Sequence, residues 1–138
     1  MEQSFFPESI LSKGSPSDMT LESIAAKLTY YHLQLHLIHW QTNSYAEHMC
    51  LGSLYDYVHD FKDDVTEKLM GYMGRKVRSF KLIPIQDNMM ATSIVNEVKS
   101  WAAELGSFAK ANGYADIDNM SQDLSGHCVK TLYLLTLS

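Results

Sequence analysis

Apolar residues recur at the helical period in four separate stretches of the chain, and this repetition constrains the fold more than any other feature. The clearest stretch is Ile94, Val98, Trp101, Leu105 and Phe108, spaced four, three, four and three. A helix so patterned has one stripe to bury, and four of them in 138 residues have only one another to bury it against. The chain is long enough for one domain with a real core. The expected class is therefore all-α, a bundle of four helices.

The first helix is expected from about Thr20 to Gln41, capped by Thr20 or Asp18, with Glu22 at the positive end of its dipole. Its inward residues are Leu21, Ile24, Ala25, Leu28, Tyr31, Leu35 and Ile38. Ser44 and Glu47 form an S-x-x-E capping box that opens the second helix, which runs to Met73 and stops at Gly74. Leu51, Leu54, Tyr55, Val58, Phe61, Val65, Leu69 and Tyr72 make its stripe. The third is expected from about Asn88 to Asn112, ending at Gly113. The fourth is expected from about Asp118 to Leu137, with Met120, Leu124, Cys128, Thr131 and Leu135 inward. Residues 1–18, with Pro7, Gly14 and Pro16, read as a polar tail that Phe5, Phe6, Ile10 and Leu11 can dock. Residues 19–138 read as the single helical domain.

Connector lengths bear on topology. The break at Thr42-Asn43-Ser44 is short, so the first two helices are antiparallel neighbours. Residues 75–87 form a longer link containing Pro84. Extended, it reaches roughly 40 Å at about 3.3 Å per residue, enough to cross the length of the bundle. Two hairpins joined by a long crossover between helices two and three is the ferritin-like arrangement, and a link that stays at one end gives a plain up-down-up-down bundle.

The net charge of −5 speaks against general affinity for nucleic acid, which needs clustered lysine and arginine. The basic stretch Arg75, Lys76, Arg78 and Lys81 reads as a solvated linker. No apolar run approaches the roughly 20 residues that cross a bilayer, and the N-terminus does not read as a secretory signal. Cys50 and Cys128 fit no zinc spacing and are expected to be buried, reduced thiols in the cytoplasm.

The chemistry lies on the first two helices. His32, His36 and His39 step by four and three along one side of the first helix, and Trp40 follows. His32 is expected to be a hydrogen-bonded core residue. The second helix carries Glu47, His48, Asp56, His59, Asp60, Asp63, Asp64 and Glu67, of which Asp63 and Glu67 project from one side. A solvated acidic face accounts for the acids alone. Mixed imidazole and carboxylate donors are also what ions such as Fe²⁺ take. His39 and His48 flank the hairpin turn and can be close. His48 and Asp63 are roughly 22 Å apart at 1.5 Å per residue, so they cannot share an ion within one chain. One site made of these histidines and acids requires a two-fold dimer, with His39 and His48 of one copy facing Asp63 and Glu67 of the other.

The stretch Leu35-His36-Leu37-Ile38-His39-Trp40, then His48, Leu54-Tyr55 and Asp63-x-x-x-Glu67-Lys68, resembles the Dps family, the ferritin-like DNA-binding proteins from starved cells. The resemblance spans roughly Leu28 to Pro84. It implies a ferritin-like fold and an iron-oxidising site between two-fold-related subunits, with His39, His48, Asp63 and Glu67 as metal ligands and Trp40 beside them. It implies a homo-oligomer, with iron stored if a shell forms. The chain departs from the family at three points. The two histidines are closer in sequence than usual. Gly52 stands where the family has an acid that helps hold two irons. The tail has only Lys13 where many relatives are lysine-rich, so DNA binding is not implied.

Two functions are thus expected: a ferrous-iron binder and incomplete ferroxidase, or a degenerate ferritin-like bundle that serves as an interaction module or holds a single structural Zn²⁺. An intrachain centre built from Glu97, Glu104, Asp123 and His127 ranks below both, because no Glu-x-x-His pair occurs on these helices.

Overall fold

The computed structural model describes residues 18–138. The tail expected over 1–18 therefore lies outside the described residues except for Asp18. Four helices follow in order: α1 (Leu21–Gln41), α2 (Tyr45–Met73), α3 (Ala91–Asn112) and α4 (Ala115–Leu135), with no strand among the described residues.

Local chemistry explains most boundaries. Thr20 caps α1 in a reciprocal box: its hydroxyl accepts the Ser23 N–H at 3.0 Å, and Ser23 Oγ accepts the Thr20 N–H at 2.9 Å. Ser44 caps α2 by accepting the Glu47 N–H at 3.1 Å. The return half of the expected box is replaced by Thr42, whose hydroxyl takes the Ser44 N–H at 3.1 Å. Gly74 and Gly113 end α2 and α3 in the left-handed region, where glycine carries no steric penalty.

Two helix starts differ from expectation. Helix α3 begins at Ala91 rather than about Asn88, because Asn88 is itself left-handed (φ 58°) and its N–H is held by Gln41 at 3.0 Å. Helix α4 begins at Ala115 rather than about Asp118, directly after the Gly113 stop and without a side-chain cap.

Helix α1 packs along α2, and α3 along α4. The two hairpins then join through α1 on α3 and α2 on α4. The interior is apolar: among the described residues the buried polar ones are Gln34, Ser121 and Thr131. Tyr31 is fully buried and meets Trp101 edge-on, with ring centres 5.6 Å apart. Tyr72, expected inward, is 47% exposed. Near the end of α2 it stacks on Tyr114 (4.2 Å) and donates its hydroxyl hydrogen to Asp116 at 2.5 Å. Tyr55 and Met120, also expected inward, are only half-buried.

The segment between α2 and α3 is tied to α1 at three points. In the first turn of α1, Glu22 takes both guanidinium nitrogens of Arg75 at 2.8 Å and the Arg78 N–H at 2.8 Å. These contacts, led by Arg75, hold the Glu22 carboxyl down to about 2. Midway, the buried Gln34 amide donates to the Gln86 carbonyl at 2.9 Å and accepts the Gln86 N–H at 2.8 Å. At the last residue, Gln41 donates to Asp87 at 2.9 Å. Replacing Gln34 with Leu leaves both Gln86 backbone groups without their bond. Chemical denaturation is expected to show a loss of about 2 kcal/mol or more.

Candidate metal centre

His39 lies in the last turn of α1 and His48 in the first turn of α2, on either side of the capped three-residue turn. The two side chains close the hairpin reciprocally. His39 Nδ1 donates to the His48 carbonyl at 2.6 Å, and His48 Nδ1 donates to the His39 carbonyl at 2.8 Å. A carbonyl only accepts, so both Nδ1 atoms carry hydrogen, and in the neutral form of each ring the lone pair lies on Nε2. The same backbone bond is the usual means of fixing a metal-ligating imidazole. The rings stack at 3.8 Å with planes 17° apart. A metal lies in the plane of its imidazole. Rings this close to parallel therefore serve one ion together only after one of them turns.

Gly52 lies under the His39 ring. A Cβ built on it meets His39 Cε1 at 3.0 Å and Nδ1 at 3.2 Å, so the imidazole fills the space of the missing side chain. From there the histidines of α1 climb a ladder of rings on α2. His36 stacks on Tyr55 (4.3 Å, 14°) and touches Trp40 (3.8 Å), and His32 meets His59 (4.9 Å) and Tyr55 (5.7 Å). Each step of four or three along α1 is matched by an equal step back along α2. Five of the six histidines thus share one face of the hairpin. The sixth, His127, stacks on Tyr57 (4.5 Å).

Sequence reasoning missed this ladder. Its signal was the His32, His36, His39 spacing set against the antiparallel register that the short turn imposes. Trp40 is 66% exposed. His32 is half-buried against other rings, not in the core as expected.

Burial lowers the His32 pKa to about 4 from 6.5, helped by Lys62 and the neighbouring imidazoles. His36 is lowered for the same leading reason. The unfolded chain thus takes up a proton at His32 that the folded chain refuses. Stability is present above pH 6.5 and is lost as pH falls toward 4. Urea midpoints measured across this range are expected to drop, and His32→Gln to flatten the drop.

Asp63 and Glu67 are exposed on α2, about four and five turns beyond His48 on the same unbroken helix. The structure brings His39 and His48 together and leaves the acids far from them within one chain. Among the described residues no three His, Cys, Asp or Glu side chains gather to hold a metal ion. Among the described residues no carboxylate is buried in the bundle interior, as an intrachain centre would need, and Glu97 pairs with Lys27 at 3.7 Å. The two cysteines are free and buried, and burial pushes the Cys128 thiol up to about 12. No helix among the described residues is long and apolar enough to cross a membrane.

A family model described as "Family of unknown function (DUF5856)" matches residues 39–135, a span that begins at His39 and takes in all of α2, α3 and α4. No curated protein and no solved structure matches.

Proposed function

We propose that this chain, which belongs to the DUF5856 family, is a ferritin-like metal-binding protein of the Dps kind. Its site forms between two-fold-related copies, from His39 and His48 of one and Asp63 and Glu67 of the other. The observation that carries the reading is the His39–His48 pair. Both half-exposed residues stand at one end of α2 with their rings held through Nδ1 by backbone carbonyls, which leaves Nε2 as the donor atom of each, and the two serve one ion once one ring turns out of the stack. At the other end of the same helix stand two exposed carboxylates a turn apart. Imidazole and carboxylate together suit a divalent first-row ion.

The architecture we propose is the ferritin-like one with a long crossover between α2 and α3. It is supported by the ties of that segment to Glu22 in the first turn of α1 and to Gln41 at its end. It is also supported by the packing of α1 on α3 and α2 on α4.

Ferrous iron is the substrate under this reading. Two Fe²⁺ each give up one electron to peroxide, which takes two protons and leaves as water; O₂ is the alternative oxidant. The product is stored if the dimers close into a shell.

A second reading is favoured by Gly52. The His39 ring occupies the position where a further carboxylate would stand, so the site is poor in acids for a pair of irons. The chain then holds one Zn²⁺, or none, and works as an assembly module. Anaerobic Fe²⁺ titration followed by peroxide separates the two. Saturable binding and rapid ferric absorbance are expected. A dimer that holds at most one metal per site and oxidises nothing supports the second reading instead.

A further inference from the structure

The outward row of α2 is His48, Gly52, Asp56, His59, Asp63 and Glu67, which advances in steps of four, four, three, four and four. At 100° per residue the six lie within an arc of about 100°, roughly opposite the buried stripe from Leu51 to Leu69. Asp56, His59, Asp63 and Glu67 are exposed; His48 and Gly52 are half-exposed.

The steps read the same from either end. A two-fold axis across α2 between Asp56 and His59 therefore lays the row on a copy of itself with every station filled. His48 then faces Glu67, Gly52 faces Asp63, and Asp56 faces His59, each twice. Imidazole meets carboxylate at four of the six stations. At the remaining two, Asp63 comes over Gly52, where the other copy has no side chain of its own and presents the His39 ring instead. A slip of one turn in either direction sets acid on acid, either Asp56 near its own copy or Asp56 on Asp63. Exposed Tyr45 lies within the same arc and exposed Met49 at its edge, and both add apolar contact. Helices crossing at about 20° stay within side-chain reach over such a length.

We infer that this row is a self-recognition strip: a second copy docks antiparallel, α2 on α2, in a single register closed at the axis by two Asp56–His59 pairs between chains. The inference rests on the intersubunit reading above, but the central pairs need no metal.

The test is sedimentation velocity near neutral pH with chelator present, on the parent, on D56H, on H59D and on the double variant D56H/H59D. Each single change sets like on like at the axis, histidine against His59 or aspartate against Asp56. Each is expected to raise the dimer dissociation constant on the order of tenfold or more. The double variant exchanges the partners, restores imidazole on carboxylate, and is expected to dimerise within about threefold of the parent. Both positions of change are exposed, and far-ultraviolet circular dichroism checks that each protein stays helical. A monomeric parent, single variants that dimerise like the parent, or a double variant as weak as the singles each overturn the inference. Iron titration of the same proteins separates it from the metal reading. Swap rescue without iron uptake removes the metal and leaves the strip; iron uptake by a dimer indifferent to the swap does the reverse.

Discussion

Replacing Tyr31 with Ala is expected to cost about 3–5 kcal/mol of unfolding free energy, the usual range for deleting a large aromatic from a packed core. Tyr31 is fully buried. It is packed edge-on against Trp101 at 5.6 Å and beside Tyr30 at 5.5 Å, with the Lys27 ammonium 5.7 Å from its ring. It stands where α1 meets α3. Truncation therefore opens a void at the thinner of the bundle's contacts and removes the Trp101 edge contact with it. Burial raises the Tyr31 phenol, and the charge of nearby Glu97 raises it further. The hydroxyl is thus neutral at any working pH. Tyr31→Phe keeps the ring and loses only the hydroxyl, and is expected to cost no more than about 1 kcal/mol. Denaturant unfolding followed by circular dichroism measures both. An alanine variant within 1 kcal/mol of the parent would show that this ring does not hold the two hairpins together.

His48→Ala and Glu67→Gln are each expected to weaken Fe²⁺ binding by at least about tenfold to a hundredfold, the cost of losing even an outer-sphere partner of a metal. The stronger expectation concerns their mixture. If a site takes histidines from one chain and acids from the other, a dimer of one H48A chain and one E67Q chain has one doubly broken site and one intact site. Co-refolding the two inactive variants therefore restores uptake at part of the parent's capacity. A site within a single chain gains nothing from mixing. Anaerobic iron titration of the mixed and unmixed variants decides between them, and equal failure in all three samples excludes the intersubunit arrangement.

Much of the bundle was legible because its signals are local. Apolar spacing marks each inward stripe, Thr20 and Ser44 carry cap chemistry, and Gly74 and Gly113 supply the left-handed stops. The starts of α3 and α4 were harder to read, because Met90 and Tyr114 make no side-chain cap and Asn88 is turned out of the helix by a bond to Gln41, far away in sequence. Tyr72 sat correctly on the helical period but near the end of α2. There, Tyr114 and Asp116 of the next hairpin offer a stack and an acceptor that keep it outside the core. The proximity of His39 and His48 followed from the short turn. Their mutual bonding did not, nor did the ring ladder from His32 to Trp40, because both depend on how two helices sit side by side. The acids of the proposed site were visible as a pair, while their use depends on a second copy.

The contact between His39 and Gly52 ties two positions into one unit of inheritance. The imidazole from α1 occupies the volume that any side chain at position 52 must take, with only 3.0 Å between its Cε1 and a built Cβ. A side chain at 52 requires the ring to give by a few tenths of an ångström, and the ring is held by its bond to the His48 carbonyl. The cost of any residue other than glycine at 52 is therefore set by the turn between α1 and α2, and the two positions are selected together.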